Sequence, residues 1–334
     1  MNPKTKKILS NLLFAALAVG LSWLIIRRID LQRTLAALQS SDLFWVGLAA
    51  ASTLLAHFFR SYRWNHLLEP LGYRMNNRRT YYAVLTGYLV NAGTSRGGEV
   101  VRCALLAKSE KVPFETLVGT VITERVVDLL MLMLTFSAAL LFEFSYLFSY
   151  VDRNIWTPVF NTIGWAGIAA LAMGGIAGLA LLWRWNHKRN LKAEAKEGGL
   201  LSRFTGGLRS IFKLQQPFIF LLLSIGIWAG YAFSAWCLMK ALPETAHLWI
   251  TAGLSIVLFS AIGISIPAPA GLGIVFPIAH GIQEVYGIAE PAANNYALLN
   301  LAFSNALMIA GGVIAYGLLW WELQRMNNDE PAGI

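Results

Sequence analysis

Twelve residues constrain this chain more than any others: Asn91-Ala-Gly-Thr-Ser-Arg-Gly-Gly-Glu-Val-Val-Arg102. They put two arginines, a glutamate and three glycines inside an otherwise apolar region. In hydrocarbon each unpaired backbone N–H or C=O costs several kcal/mol, so lipid-facing backbone must be helix or closed sheet. A charged, glycine-rich break at that depth is tolerated only where it is buried in protein or lines a wet cavity. The stretch therefore reads as the tip of a re-entrant hairpin and as half of a site for an anionic head group.

The apolar context gives that reading its force. Of the 334 residues 56% are hydrophobic and only 13% charged, with a mean hydropathy of +0.54. Such a balance belongs to a polytopic membrane protein rather than a soluble core. Apolar runs near residues 9–26, 42–59, 115–142, 155–184, 218–240 and 293–321 are each long enough to cross about 30 Å of hydrocarbon. The segments between them are too short for a soluble catalytic domain of ordinary size. The formal net charge of +9 fits the positive-inside bias and contact with anionic lipids, the expected partners. No nucleic-acid motif accompanies the charge, so nucleic acid is not an expected partner. Cys103 and Cys237 stand apart in separate apolar contexts, which gives neither a disulfide framework nor a metal-ligand spacing.

Lys4, Lys6 and Lys7 precede the first run, and Arg27 and Arg28 follow it. With no small-residue cleavage site between, it reads as an uncleaved span with a cytoplasmic N-terminus. Leu31, Leu35 and Leu38 suggest a short interfacial helix. A second span, Leu43 to Phe59, is expected to lead into a cytoplasmic loop carrying Arg60, Arg63, Arg74, Arg78 and Arg79. Arg60 and Arg63 lie closest to the membrane and are candidates for a lipid phosphate. Thr80 to Gly93 and Glu99 to Lys108 are each too short to span at 1.5 Å per residue, so they form the two arms of the hairpin.

The third span, Glu115 to Phe142, carries Glu124, Arg125 and Asp128. Glu124 stands roughly 14 Å from the start of its helix at 1.5 Å per residue, near mid-bilayer. Glu124 and Asp128 share a face, and Arg125 can pair with Asp128. Ionisable groups at that depth mark a functional site or a salt-bridge network pinning the helix to the hairpin, and the sequence admits both.

Trp156 to Trp185 spans again and leaves through a basic segment. A cytoplasmic linker, 186–216, follows. Within it Leu201, Phe204, Leu208, Ile211 and Phe212 form one stripe of an amphipathic helix, suited to the anionic inner leaflet or to docking on its own protein. Phe218 to Lys240 is a further span. Leu248 to Ile264 and Ile274 to Val285 flank a break containing Pro267, Pro269, Gly271 and Gly273, which stops any helix. Asn295 to Trp321 is the last span. The order span, span, broken hairpin, span thus occurs twice, in halves of about 9–145 and 155–322. Three full crossings in the first half turn the second upside down. The expected fold is an all-α polytopic membrane protein: one transmembrane domain, 1–322, with six full spans, two re-entrant broken-helix hairpins and an inverted repeat. The tail, 323–334, is cytoplasmic. If the hairpin arms cross independently, the span count rises to eight or more. Inverted repeats with broken helices are a transporter design.

The chemistry follows from the same residues. Gly97 and Gly98 let backbone N–H groups approach an anion where the second arm begins. Arg96 and Arg102 can hold a phosphate as a two-point fork, with Glu99 pairing one of them in the empty site; Glu124 and Asp128 could satisfy the same fork instead. Asn91, Glu124, Arg125 and Asp128 complete the candidate set. His57, His66 and Glu99 show no catalytic spacing. His280 and Glu284 share a helix face but lack further metal ligands. No catalytic residue, metal or cofactor is assigned.

Four pieces of the chain resemble the transmembrane, flippase-like part of the lysylphosphatidylglycerol synthetase family, which also occurs alone in many bacteria. They are Arg60-x-x-Arg63-Trp64 with Leu67-Leu68 and Gly72; Gly87-x-x-x-Asn91 leading to Arg96-Gly97-Gly98-Glu99-x-x-Arg102; Glu124-Arg125-x-x-Asp128; and Pro267-x-Pro269-x-Gly271-Leu-Gly273. The chain departs from the family at Thr94, where proline is common, at Ala270, where glycine is common, and at Phe276, where an acidic residue is common. The soluble aminoacyl-transferase part has no counterpart here, so lipid aminoacylation is not implied. The resemblance implies a bacterial inner-membrane protein that moves a lipid, or a lipid-linked polar molecule, between leaflets. A membrane-embedded enzyme acting on lipid phosphates or lipid-linked sugars, and a non-transporting scaffold of envelope synthesis, are the alternatives.

Overall fold

The computed structural model describes residues 41–94, 97–144, 199–265 and 269–329, with isolated residues at 39, 148, 152, 157, 161, 162, 164, 166, 167, 170 and 173. The spans expected at 9–26 and 155–184, the interfacial helix at 31–38, Arg96 and Pro267 therefore fall outside the described residues, apart from isolated positions in 155–184. The described residues form helices and no strand. In order they are α1 (Leu43–Leu68), α2 (Asn77–Gly93), α3 (Gly97–Glu110), α4 (Phe114–Phe142), α5 (Leu200–Arg209), α6 (Pro217–Lys240), α7 (Ala252–Ile264), α8 (Val275–Tyr286) and α9 (Glu290–Asp329). Short 3₁₀ turns lie at Glu69–Leu71, Ser210–Lys213 and Pro269–Ile274. Four stretches are long and apolar enough to cross a membrane: Leu43–Leu71, Phe114–Phe142, Pro217–Lys240 and Glu290–Arg325. They coincide with four of the six apolar runs.

Local chemistry sets the boundaries. The Asp42 carboxylate caps α1 by accepting from the Phe44 N–H at 2.9 Å. Asn76 caps α2 through the N–H groups of Arg78 and Arg79. Between them Gly72, at φ 86°, turns the chain in a region that suits glycine. One boundary differs from the sequence expectation. The helix does not end at Phe59; it runs to Leu68, and Arg60 and Arg63 are buried inside it rather than exposed in a cytoplasmic loop.

Helices in lipid gain little from apolar contact alone, so their interfaces depend on small side chains and interhelical hydrogen bonds. Between α1 and α6 the Ser52 hydroxyl donates to the Gly230 carbonyl at 2.8 Å. Thr53 meets Ser234 at 2.8 Å, and Ser234 donates to the Ala49 carbonyl at 3.1 Å. The α2–α3 hairpin is tighter. A Cβ on Gly87 would lie 2.8 Å from the Gly98 carbonyl oxygen and 3.3 Å from the Arg102 Cβ, and one on Gly98 would collide with the Gly87 carbonyl. The Gly98 N–H donates to the Asn91 Oδ1 at 2.9 Å, closing the hairpin near its tip.

Side-chain bonds at the helix ends place the two hairpins. Arg79, at the start of α2, pairs with Glu110 at the end of α3 (3.1 Å) and with Glu322 near the end of α9 (3.2 Å). Both ends of the first hairpin therefore sit at one end of the bundle. Thr251, just before α7, bonds Glu143, just after α4, and the Tyr286 hydroxyl at the end of α8 reaches Ser255 at 2.9 Å. Both ends of the second hairpin sit at the opposite end. The α5 segment docks on α4 rather than standing free. A Cβ on Gly207 would lie 2.5 Å from the Thr116 carbonyl, and the Thr123 hydroxyl is 3.2 Å from the carbonyls of Gly207 and Leu208.

The close approach at Gly98 gives a direct check. Gly98→Ala is expected to destabilise the purified protein by about 1–3 kcal/mol, as overpacking does, read as a lower unfolding midpoint in detergent. Gly47→Ala, where a new Cβ meets nothing within 4 Å, is expected to leave the midpoint unchanged or slightly raised.

Candidate functional site

Ala49, Ala56, Arg60, Arg63 and Leu67 are all buried on α1, and their spacing of three, four and seven puts them on one stripe. The stripe carries two guanidiniums to the middle of α4. Arg60 Nη1 donates to Glu124 Oε1 at 2.7 Å and to Asp128 Oδ2 at 2.9 Å. Arg63 Nη2 donates to Asp128 Oδ1 at 2.7 Å and lies 3.5 Å from Glu124 Oε1. Its other terminal nitrogen reaches the Ser224 hydroxyl on α6 at 3.2 Å. From α3, Arg102 Nη2 donates to the remaining Glu124 oxygen at 2.9 Å. Its guanidinium lies 4.6 Å above the Trp64 ring, a cation–π contact. Trp64 in turn donates to the Thr120 hydroxyl at 2.9 Å. Glu124 is fully buried, and both its oxygens are occupied by arginines.

A second layer lies at the edge of this core. Arg125 pairs with Glu99 of α3 at 2.5 Å and approaches Asp128 at 3.6 Å. A small cavity beside the pair is lined by Val84, Gly87, Tyr88, Asn91, Gly98, Glu99, Arg102 and Arg125. Tyr88 carries the polar surface further inward. Its ring is 4.3 Å from that of His57, and His57 Nδ1 is 3.3 Å from the Tyr231 hydroxyl on α6.

Charge is not balanced within the cluster. Among the described residues, the guanidiniums of Arg60, Arg63, Arg102 and Arg125 face the carboxylates of Glu99, Glu124 and Asp128, one cation in excess. The Nε atoms of Arg60, Arg63 and Arg102 are buried without a hydrogen-bond partner among the described residues. The cluster thus keeps both positive charge and donor capacity beyond what its own acids use. No group of three His, Cys, Asp or Glu among the described residues is arranged to hold a metal ion.

The structure gathers Arg60, Arg63, Asn91, Gly98, Glu99, Arg102, Glu124, Arg125 and Asp128 into one place, with Gly97 opening α3 beside them. Arg102 pairs with Glu124, the alternative the sequence admitted, and Glu99 pairs with Arg125 rather than with Arg102. Among the described residues the second hairpin adds no member to these ion pairs, although its 3₁₀ turn packs against α2. Pro269 begins its 3₁₀ turn. Gly271, at φ 71°, lies near Leu301 of α9, and Gly273 packs on Gly263 of α7. Tyr88, Thr120, Ser224 and Tyr231 join the site without having been singled out, and Trp64, quoted only as part of a resembling motif, joins it as well. Arg60, Ser61, Trp64, Leu67 and Leu68 continue the helical spacing of α1 past Phe59, and that pattern was the available signal for Trp64.

Residues 11–312 match the lysylphosphatidylglycerol synthase TM region. The chain belongs to that family. A lysylphosphatidylglycerol synthase TM region is an integral membrane domain, in keeping with the four long apolar helices. A UPF0104 membrane protein of Methanocaldococcus jannaschii, MJ1595, is 32% identical over 103 residues, which cover 30% of this chain and 31% of that protein. No solved structure matches the chain.

Removing one partner of a buried pair leaves an uncompensated charge, which costs about 3–5 kcal/mol. Glu124→Gln is accordingly expected to lower the unfolding midpoint sharply, because Arg60 and Arg102 lose their shared carboxylate. Glu99→Gln should cost less, because Arg125 keeps a neutral polar partner there and the Asp128 carboxylate at 3.6 Å. Thermal unfolding of both variants in one detergent tests this ordering.

Proposed function

We propose that this protein is a flippase-like transporter of the bacterial inner membrane, moving an anionic phospholipid or a lipid-linked phosphate between leaflets. The observation that carries the reading is the excess guanidinium beside a cavity at mid-helix. A buried charge without its counterion is costly in a membrane, and such groups line substrate and ion pathways. A phosphate supplies the missing negative charge and accepts several hydrogen bonds from guanidinium donors. Arg102 is the residue for that role, since it lines the cavity and belongs to the cluster. Arg96, two residues before the described Gly98, is the expected second donor.

The architecture supports the same reading. The arms α2 and α3 span roughly 26 Å and 21 Å at 1.5 Å per residue, short of a full crossing, which fits a re-entrant hairpin. The two hairpins enter the bundle from opposite ends. Packing also repeats between halves: α2 lies against α9 as α7 lies against α4, while α1 and α6 face each other. That exchange is what an inverted repeat requires, and such repeats underlie alternating access. The end of the bundle carrying Arg74, Arg78 and Arg79 is assigned to the cytoplasm by the positive-inside rule, which puts the C-terminal end of α9 there too.

In proteoliposomes, Arg102→Ala is expected to reduce transfer of labelled phosphatidylglycerol about a hundredfold, the loss that follows removal of a charged donor worth about 3 kcal/mol. Arg102→Lys should recover part of it, because an ammonium keeps the charge but not the fork. Wild-type transfer by Arg102→Ala contradicts the proposal.

A further inference from the structure

The ion pairs of this site are not equally sheltered. Glu124 is entirely out of solvent, and Arg63 with it. The Glu99–Arg125 pair is different: the Arg125 side chain is 48% exposed and that of Glu99 28%. Arg125 lies roughly 16 Å along α4 at 1.5 Å per residue, about the middle of the span. Its neighbours on α4, Ile122, Val126 and Leu129, are exposed apolar side chains, as is Val100 beside Glu99 on α3. An arginine at this depth on a lipid-facing surface is costly unless a polar partner meets it there. A pair that served only to hold α3 to α4 would be cheaper one turn inward, where Arg102 and Glu124 already do so.

The cavity behind the pair supplies the second observation. Its volume is about 10 Å³, room for roughly one water molecule and far too little for a phosphate. Glu99 and Arg125 both line it. Anything larger reaches Arg102 only after these walls separate. Among the described residues, Val100, Ile122, Val126 and Leu129 give their exposed side an apolar rim.

We infer that the Glu99–Arg125 pair is the latch of a lateral portal between α3 and α4, through which the phosphate of an anionic phospholipid reaches Arg102 while its acyl chains stay in the bilayer. The inference rests on the transport reading above and adds the route and the substrate class. The incoming phosphate takes the place of the Glu99 carboxylate on Arg125, and the displaced carboxylate turns to Arg102 in the same cavity until the phosphate arrives there, so the pair opens without leaving a bare charge in lipid. Arg125 then passes the phosphate to Arg102, since both line the same cavity. Val100, Ile122, Val126 and Leu129 form the apolar rim against which the chains slide.

The rim can be blocked without touching a charged residue. Val126→Trp and Val100→Trp add bulk at lipid-exposed positions, and Met133→Trp, also exposed on α4 about two turns on, is the control. Transfer of labelled phosphatidylglycerol in proteoliposomes is measured beside binding of radiolabelled inorganic phosphate by the same purified proteins. The portal predicts that both rim variants slow lipid transfer about tenfold or more, as a blocked gate does, while Met133→Trp transfers like wild type. Phosphate binding in the rim variants matches whatever the wild type shows. Wild-type lipid transfer by both rim variants overturns the portal. So does slowed transfer accompanied by loss of phosphate binding that the wild type has, because the rim then acts on the site itself. Arg102→Ala run alongside separates the two levels: unaffected transfer there removes the transport reading and the portal with it. Lost transfer there with unaffected rim variants removes the portal alone.

Discussion

The burial of Glu124 among arginines from two other helices is the interaction on which the rest depends. One carboxylate on α4 takes donors from Arg60 of α1 and Arg102 of α3, while Asp128 one turn away takes Arg60 and Arg63. Taking such charges out of water costs several kcal/mol per ion, and only near-complete pairing offsets it. The geometry meets that demand for the acids, whose oxygens are all engaged. It does not meet it for the arginines, whose Nε atoms find no partner among the described residues. A purely structural network would gain nothing from the extra cation, which is why the imbalance reads as a place kept for an anion.

That network can exist only because the hairpin comes close. Arg102 reaches Glu124 from α3, and α3 lies where it does because Gly87 and Gly98 let two backbones meet without side chains between them. The Asn91 side chain, a candidate ligand by sequence, closes the hairpin by accepting from Gly98. On the far side of α4 the same device recurs: Gly119 and Gly207 bring α5 against the helix, with Thr123 bonded across the contact. The residue that follows Thr123 is Glu124, so α5 touches the helix directly beside its buried charge.

Much of this was legible in the sequence. The limits of α2, α3 and α4 lie within a few residues of those read from hydropathy and from the Gly-rich break, because a polar break in lipid has few solutions. Glu124, Arg125 and Asp128 were visible as a unit through their helical spacing. The destination of Arg60 and Arg63 was not. Basic residues after an apolar run ordinarily mark the cytoplasmic boundary, and that rule won over the helical spacing that continues to Leu68. Partners so distant in sequence, 64 residues apart for Arg60 and Glu124, leave no local pattern. Neither does the choice of Arg125 over Arg102 as the partner of Glu99, which depends on how α3 is rotated against α4.

The central claim is that the surplus guanidinium holds a lipid phosphate, and native mass spectrometry of the protein released from mild detergent tests it most directly. The account predicts that an anionic phospholipid or lipid-linked phosphate remains bound to the wild-type protein and is lost from Arg102→Ala. Retention of the same lipid by Arg102→Ala, or a wild-type protein that carries only zwitterionic lipid, would contradict it.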